Sequence, residues 1–196
     1  MAACPENERP SVSQKRNNPW QTREIRVIYD NPWVRLEEHD AINPAGKPCL
    51  YGKVCFHNQA VGILPLDDDG NTWLVGQHRY ALDAWSWEIP EGGSPAGEDP
   101  LETARRELKE ETGLSARRFE LFCTMHLSNS VTDEEGFVYL ATGLEEGETM
   151  FEETEDIVVR KLPVEEAIRM AMAGEITDAI SLIALFRYAV VKGIAP

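Results

Sequence analysis

The stretch GGSPAGEDPLETARRELKEETGL, residues 92–114, decides the fold of this chain. Asp99 is suited to cap a helix, because its side chain can accept hydrogen bonds from backbone N–H groups of the first turn. The proline that follows it fits the first helical position, and Gly113 is the residue type that ends a helix. The stretch therefore predicts a glycine-rich loop through Glu98, followed by a helix that ends before Gly113.

The predicted helix has an apolar face and, next to it, an acidic face. Glu107, Glu110 and Glu111 lie side by side, because residues three or four positions apart share a helix face. Like charges at this spacing destabilise a helix, whereas hard divalent cations prefer clustered carboxylate oxygens as ligands. The pattern indicates a site for Mg²⁺ or Mn²⁺, and a solvated acidic face is the alternative. The core-facing residues are Leu101, Ala104 and Leu108.

The same stretch resembles the Nudix box, whose pattern is Gly-x5-Glu-x7-Arg-Glu-apolar-x-Glu-Glu-x-Gly-apolar. All nine specified positions are filled, and residue frequencies put a chance match on the order of one in a million. The resemblance implies an α/β (α+β) protein: a Nudix α/β/α sandwich with a mixed sheet. It also implies a Mg²⁺-dependent hydrolase of nucleoside diphosphates linked to another moiety. The matching residues are Gly92, Glu98, Arg106, Glu107, Leu108, Glu110, Glu111, Gly113 and Leu114.

The resemblance also assigns roles to residues in and beside the box. Glu107 and Glu111 are implied metal ligands, and the backbone carbonyl of Glu91 is a further ligand. Arg106 and Glu110 are implied catalytic residues. The arginine orients a carboxylate through a charge-assisted hydrogen bond, and the glutamate is either a further metal ligand or a support for the other ligands. The alternative for Arg106 is a purely structural salt bridge, with Glu98 or Glu102 as the partner.

Length and composition limit the classes of protein that this chain can represent. It has 196 residues, a formal net charge of −15 and 42% hydrophobic residues, which predict one globular domain with a substantial core. The negative charge argues against a nucleic-acid partner. No apolar run approaches the ~20 residues needed to span a bilayer, so we expect no membrane partner and a cytoplasmic location. The four cysteines are too scattered for a zinc site or a redox pair.

Turn and strand signals divide the chain into three parts. Residues 1–21 indicate a flexible leader, residues 22–57 a small antiparallel strand extension, and residues 58–196 the Nudix hydrolase domain. The extension resembles the dimerising segment of ADP-ribose pyrophosphatases, which implies a homodimer. Strands are predicted at residues 23–28, 33–39, 51–56, 60–66, 72–79, 86–89, 119–126, 136–144 and 157–161, and further helices at 163–173 and 178–192. Asp178 is the predicted cap of the last helix, and Gly193 is the residue predicted to end it.

A second acidic segment lies at residues 153–157, which read Glu-Thr-Glu-Asp-Ile. It resembles a loop of the ADP-ribose pyrophosphatase branch of the Nudix family. By this resemblance Glu153 is the general base and Glu155 is a metal ligand. A solvated acidic loop is the alternative, because runs of charge are usually solvated.

Three further residues are candidates for substrate binding. Residues 77–79 (Gln-His-Arg) and 85–90 (Trp-Ser-Trp-Glu-Ile-Pro) resemble segments of the same branch. This resemblance implies that Arg79 and Glu88 hold phosphate and base or sugar. Glu134, in the loop after the box, can accept a hydrogen bond from a sugar hydroxyl. A surface ion pair for the arginine and a solvated loop for Glu134 are the alternatives.

Together these features predict a pyrophosphatase that acts on a small-molecule nucleotide. We expect it to cleave the diphosphate bridge of a nucleoside diphosphate sugar or ADP-ribose to a nucleoside monophosphate and a sugar phosphate. The branch usually has Pro-Ala-Gly before the box, whereas this chain has Pro90-Glu91-Gly92, so the choice of sugar stays open. The alternatives are hydrolysis of dinucleoside polyphosphates or coenzyme A, and a sensor that binds a nucleotide sugar without hydrolysing it. The complete set of box carboxylates argues against the sensor.

Overall fold

The computed structural model describes residues 17–147 and 156–194, which contain ten strands and three helices. The first seven strands are β1 (Gln21–Asp30), β2 (Val34–Ile42), β3 (Pro48–Phe56), β4 (Asn58–Leu66), β5 (Asn71–Arg79), β6 (Ala84–Glu88) and β7 (Glu91–Pro95). The remaining elements are α1 (Pro100–Thr112), β8 (Leu114–His126), β9 (Glu135–Glu146), β10 (Val158–Pro163), α2 (Val164–Ala173) and α3 (Ala179–Lys192).

The described strands form three sheets. β1, β2 and β3 make an antiparallel sheet of their own. β5 lies between β10 and β6 in a second antiparallel sheet. The third sheet has the order β7-β4-β9-β8 and is mixed, because β4 runs antiparallel to β7 and parallel to β9. The prediction of an α+β protein with a mixed sheet is confirmed.

β4 separates two hydrophobic cores, because successive side chains of a strand point to opposite faces of its sheet. Val61 and Ile63 belong to one core, together with Leu108 of α1. Leu64 belongs to the other core, together with Leu185 of α3. All five side chains are completely shielded from solvent. The mixed sheet is therefore covered by α1 on one face and by α2 and α3 on the other, which is the expected three-layer arrangement.

The helix ends follow the predicted capping residues. Asp99 accepts a hydrogen bond from the backbone N–H of Leu101 at 3.0 Å, and Gly113 ends α1 in the left-handed conformation with φ of 73°. Asp178 caps α3 in the same way, with the N–H of Ser181 at 2.7 Å. Among the described residues, none of the helices combines the length and the apolar character that a membrane span requires.

The glycine-rich loop predicted before α1 is wrong in its first part. The residues Glu91–Pro95 form β7, in which Gly92 lies opposite Val61 of β4. Adjacent glycines have a low intrinsic preference for strands, but this backbone passes close to α1. A Cβ atom at Gly92 would lie 2.1 Å from the carboxyl carbon of Glu107. Tertiary packing rather than local preference therefore determines this strand.

Parts of the predicted organisation fall outside the described residues. These are residues 1–16, which make up most of the predicted leader, and the two loop glutamates Glu153 and Glu155. The sheet of β1, β2 and β3 coincides with the predicted extension, and β1 is exposed along its whole length. The division into leader, extension and hydrolase domain stays a prediction.

Candidate active site

A cleft of about 250 Å³ lies beside β7 and brings together residues that are far apart in the sequence. Arg79 enters it from the end of β5, Glu91 from the start of β7, and Glu134 from the loop between β8 and β9. The cleft therefore joins the entry of the box to two residues that were predicted to bind substrate. Its other lining residues are Phe56, Asn58, Gln59, Ala60, Gly92, Gly93 and Ile180.

Arg79 is held by two carboxylates. Its Nε donates to both oxygens of Glu88, at 2.9 and 3.1 Å, and its Nη2 donates to Glu88 Oε2 and, at 2.8 Å, to Glu91 Oε1. These contacts, chiefly those with Glu88, raise the pKa of Arg79 above its ordinary value. Glu88 is only 3% exposed and is not among the residues that line the cleft. Arg79 is thus more than a surface ion pair: it neutralises a buried carboxylate and also faces the cleft.

The acidic face of α1 is largely turned inwards. Glu107 and Glu111 are buried, and Glu111 Oε2 accepts a hydrogen bond from the backbone N–H of Glu91 at 2.9 Å. Arg106 Nη1 donates to Glu107 Oε1 at 2.7 Å and to Glu110 Oε2 at 3.0 Å. Burial alone lowers the pKa of Arg106, but these two carboxylates raise it above the ordinary value. A solvated acidic face does not describe this arrangement.

Arg106 also has different partners from those of the structural alternative. It pairs with Glu107 and Glu110 on its own helix, and its Nη2 donates to the carbonyl of Gly93 at 3.4 Å. The Glu102 carboxylate is 3.6 Å from Arg105 instead. The arginine therefore links two box carboxylates to the β7 backbone, which fits the orienting role that the resemblance implied.

The Glu91 side chain lies in an acidic environment. Its Oε1 contacts Arg79, whereas its Oε2 is buried and has no hydrogen-bond partner among residues 17–147 and 156–194. Burial raises the pKa of Glu91 well above its ordinary value, and the charges of Asp178 and Glu88 raise it further. The branch that the sequence resembles usually has alanine at this position, whereas Glu91 places a carboxylate at the entry of the box.

The donor set around the box fits a hard divalent cation. Glu107 and Glu111 supply buried carboxylate oxygens, and Glu91 Oε2 is a further buried oxygen without a donor in the described part of the chain. Such oxygens are costly to bury unless a positive charge accompanies them. In the described ranges, no three Asp, Glu, His or Cys side chains converge into a complete metal site. A complete ligand set therefore needs backbone oxygens, water or residues outside those ranges, where Glu153 and Glu155 lie.

Three residues of the site were not identified from the sequence. Asn58 and Gln59 line the cleft at the start of β4, and Asp178 contributes charge near Glu91 in addition to capping α3. Neither amide belongs to a motif, and the aspartate was explained by its capping role alone. The contact between Asn58 and Gly93 is close enough that a Cβ at the glycine would lie 2.9 Å from the amide nitrogen. Only the pairing of β4 with β7 makes this proximity visible.

The comparison with known families matches residues 56–182 to the NUDIX domain. The chain is 36% identical over 161 residues to an ADP-ribose pyrophosphatase from Mycobacterium tuberculosis, and the aligned region covers 80% of this chain and 77% of that protein. It is 32% identical over 154 residues to an ADP-ribose pyrophosphatase from Bacillus subtilis, covering 78% and 83%. A CMP-5'-(N-acetyl-N-hydroxy-3-aminopropyl)phosphonate hydrolase from Streptomyces rubellomurinus is 29% identical over 166 residues, covering 85% and 80%.

A solved structure supports the description of the fold. The crystal structure of an ADP compounds hydrolase superposes with a TM-score of 0.79 and covers 90% of this chain and 97% of that one. Its sequence identity is 19%, so the likeness concerns the fold alone. The α/β/α sandwich implied by the box is thereby confirmed.

Proposed function

We propose a reaction for this chain, which belongs to the NUDIX family and is a Nudix hydrolase. It hydrolyses the diphosphate bridge of ADP-ribose or of a nucleoside diphosphate sugar. The products are a nucleoside monophosphate and a sugar phosphate. The observation that carries the proposal is the cleft in which Arg79, Glu91 and Glu134 lie beside Gly92, the first residue of the box. Such a site offers a cation for phosphate and an acceptor for sugar hydroxyls next to the box carboxylates. The two ADP-ribose pyrophosphatases among the relatives support the same substrate class.

Nudix hydrolases generally use a divalent metal ion. We assign Mg²⁺, with Mn²⁺ as the alternative, to Glu107, Glu111, Glu155 and the backbone carbonyl of Glu91. When bound, the ion offsets the negative charge that develops on the phosphates. The buried carboxylates of α1 and the hydrogen bond from the Glu91 N–H that fixes Glu111 support this assignment.

The remaining steps belong to side chains of the protein. Glu153 takes the proton of the attacking water, which is the role of a general base. Arg106 keeps Glu107 and Glu110 in place through its two hydrogen bonds. Arg79 donates to a phosphate oxygen while Glu88 fixes its orientation. Holding both ends of the bridge uses binding energy away from the reacting phosphorus to position it for attack.

The competing functions make different demands on the site. A sensor needs to bind a nucleotide sugar but has no need for several buried carboxylates beside the cleft, which are costly to maintain. A hydrolase of dinucleoside polyphosphates or coenzyme A would share the box and differ in the groups that line the cleft. Arg79, Asn58 and Glu134 support a polar sugar-linked diphosphate.

A substrate panel tests the proposal. We expect ADP-ribose or a nucleotide sugar to have a kcat/KM at least roughly tenfold above that of any nucleoside triphosphate, about 1.4 kcal/mol of transition-state preference. The measurement is ion-exchange separation of the products with Mg²⁺ present, and the Glu111→Gln variant serves as the blank for contaminating hydrolases. A nucleoside triphosphate whose kcat/KM exceeds that of every sugar-linked diphosphate contradicts the proposed substrate class. Tight binding of a nucleotide sugar without turnover favours the sensor.

We also propose that the chain forms a homodimer through the sheet of β1, β2 and β3. Ile25 and Val27 on β1, Trp33 in the turn after it and Leu50 on β3 are each more than half exposed. Ile25 and Val27 point to the same face of β1, and β1 is an edge strand of its sheet. Exposed apolar side chains on a strand edge that is otherwise unpaired favour association with another strand. The family match begins at residue 56, which supports a boundary between extension and hydrolase domain near residue 57.

The dimer proposal predicts the effect of a charge on this sheet. Val27→Asp places a carboxylate in the apolar surface, so we expect the protein to change from twice the 22.0 kDa chain mass to the monomer mass at micromolar concentration. Light scattering coupled to size-exclusion chromatography measures the mass. Val190→Asp is the matched control, because Val190 is an exposed valine on α3. A monomeric wild type, or a dimeric Val27→Asp variant, contradicts the proposal.

For cellular context we propose a cytoplasmic enzyme with no nucleic-acid partner. The cysteines in the described residues, Cys49, Cys55 and Cys123, are free thiols, which is the usual state in a reducing compartment. The net charge of −15 disfavours binding to a polyanion.

A further inference from the structure

The loop that carries Glu134 is attached to the sheet of β1, β2 and β3. We call residues 128–134 the post-box loop. The N–H of Val54 on β3 donates to the carbonyl of Val131 at 2.8 Å, and the N–H of Asp133 donates to the carbonyl of Val54 at 3.4 Å. Val54 and Thr132 form an isolated parallel bridge. β3 therefore pairs with the post-box loop as well as with β2, and the loop takes the place that a further strand would have.

Side chains strengthen this attachment at its cleft end. Lys53 Nζ lies 2.5 Å from Asp133 Oδ2, and Asp133 Oδ1 accepts a hydrogen bond from the backbone N–H of Phe56 at 3.0 Å. The hydroxyl of Tyr51 donates to the carbonyl of Ser130. The aspartate thus binds a charged side chain and a backbone donor of β3 at the same time, and this fixes both the position and the direction of the loop.

The residue after Asp133 is the one that reaches the cleft. Glu134 lines it together with Phe56, Asn58 and Arg79. A partly buried carboxylate has lost water and gains from hydroxyl donors, but only if it lies at the correct distance from them. Since the sheet of β1, β2 and β3 shares no strand pairing with the other two sheets of the described chain, these bonds to β3 connect that sheet directly to the cleft.

We propose that Lys53 and Asp133 are positioning residues that hold Glu134 in the cleft and thereby determine how strongly the sugar-phosphate end of the substrate is bound. The inference rests on the proposed function, because the ligand of Glu134 is taken to be a sugar hydroxyl. The strand extension then contributes to substrate recognition by holding the post-box loop, in addition to its proposed role in dimerisation.

The test compares Lys53→Met with the wild type under steady-state conditions on ADP-ribose or on the best substrate of the panel. We expect KM to rise about tenfold and kcat to change by less than about twofold, because the variant loosens a binding group and leaves the box intact. Lys53→Arg retains the charge and should restore most of the affinity. Lys47→Met removes the same charge from the turn before β3 and is the matched control, with no change in KM expected.

A double variant separates positioning from general destabilisation. In the Glu134→Ala background, Lys53→Met should have no further effect on KM, because both changes act through the same carboxylate. Additive effects in the double variant overturn the proposal, and so does a fall in kcat at unchanged KM. Asp133→Asn provides a second variant on the partner side and should reproduce the effect of Lys53→Met.

Amide hydrogen exchange gives a measurement that does not depend on turnover. In Lys53→Met the amides of the post-box loop should exchange at least about tenfold faster, while those of α1 keep their wild-type rates. Unchanged loop exchange overturns the positioning role. If the wild type hydrolyses nothing in the panel, the proposed function fails, and the exchange experiment still decides whether Lys53 holds the loop.

Discussion

Glu111→Gln is expected to lower kcat by roughly 10³-fold, about 4 kcal/mol of transition-state stabilisation. Glu111 is 2% exposed, and its Oε2 accepts the N–H of Glu91 at 2.9 Å. The amide oxygen of glutamine can still accept this hydrogen bond, so the fold should remain intact. What the substitution removes is a negative charge at the predicted metal site, and the loss of activity therefore reports on the charge.

Two measurements separate this loss from an unspecific effect. The melting temperature of the wild type should rise with Mg²⁺, because an ion that binds the folded state alone stabilises it, and this rise should be much smaller for Glu111→Gln. Glu102→Gln removes the same charge from an exposed position of α1 and should leave both kcat and the Mg²⁺ response unchanged. Full activity of the wild type in excess chelator would contradict the metal assignment.

The box helix could be predicted from the sequence because its determinants are local. Asp99 and Gly113 act on the backbone within one turn of their own positions. The apolar periodicity likewise placed Leu108 in the core, where it is completely buried. The same applies to α3, because its cap Asp178 and its terminating Gly193 lie directly next to the helix in the sequence.

β7 was missed because its determinants are not local. Its glycines indicate a loop when they are considered alone, and their strand conformation depends on pairing with β4 and on the approach of α1. The distribution of β4 side chains between two cores was equally invisible, because the apolar run at residues 60–66 does not show which helix covers which face.

The candidate site was predictable in its parts but not in its connections. A resemblance identified Arg79, Glu88 and Glu91 individually, yet their joint ion-pair network depends on the pairing of β5 with β6 and on the position of β7. The partners of Arg106 were also assigned wrongly in the structural alternative, since two competing carboxylates lie within reach on the same helix. Side-chain choice among near-equivalent partners requires coordinates. The roles of all these residues remain predictions for kinetic tests.

Gly92→Ala should separate activity from stability. A Cβ at this position would lie 2.1 Å from both Cδ and Oε1 of Glu107. Because these atoms form the end of a flexible side chain, the carboxylate can swing aside and the backbone of β7 need not move. Where no such contact occurs, replacing glycine by alanine stabilises a protein by about 0.4–1 kcal/mol, because it lowers the conformational entropy of the unfolded chain. This gain offsets part of the strain. We therefore expect a change of at most about 1 kcal/mol in the free energy of unfolding.

Activity should respond quite differently to the same methyl group. Displacement of the Glu107 carboxylate breaks its 2.7 Å hydrogen bond with Arg106 and moves a predicted metal ligand, so kcat should fall by roughly 10²-fold or more, at least about 2.7 kcal/mol. Urea unfolding and steady-state kinetics on the same preparations provide the two numbers. Gly52→Ala on β3, where an added Cβ meets nothing within 4 Å, is the matched control and should change neither. Near wild-type kcat in Gly92→Ala would show that the position of the Glu107 carboxylate does not matter for the reaction, whereas global unfolding would show that β7 cannot accommodate the displacement.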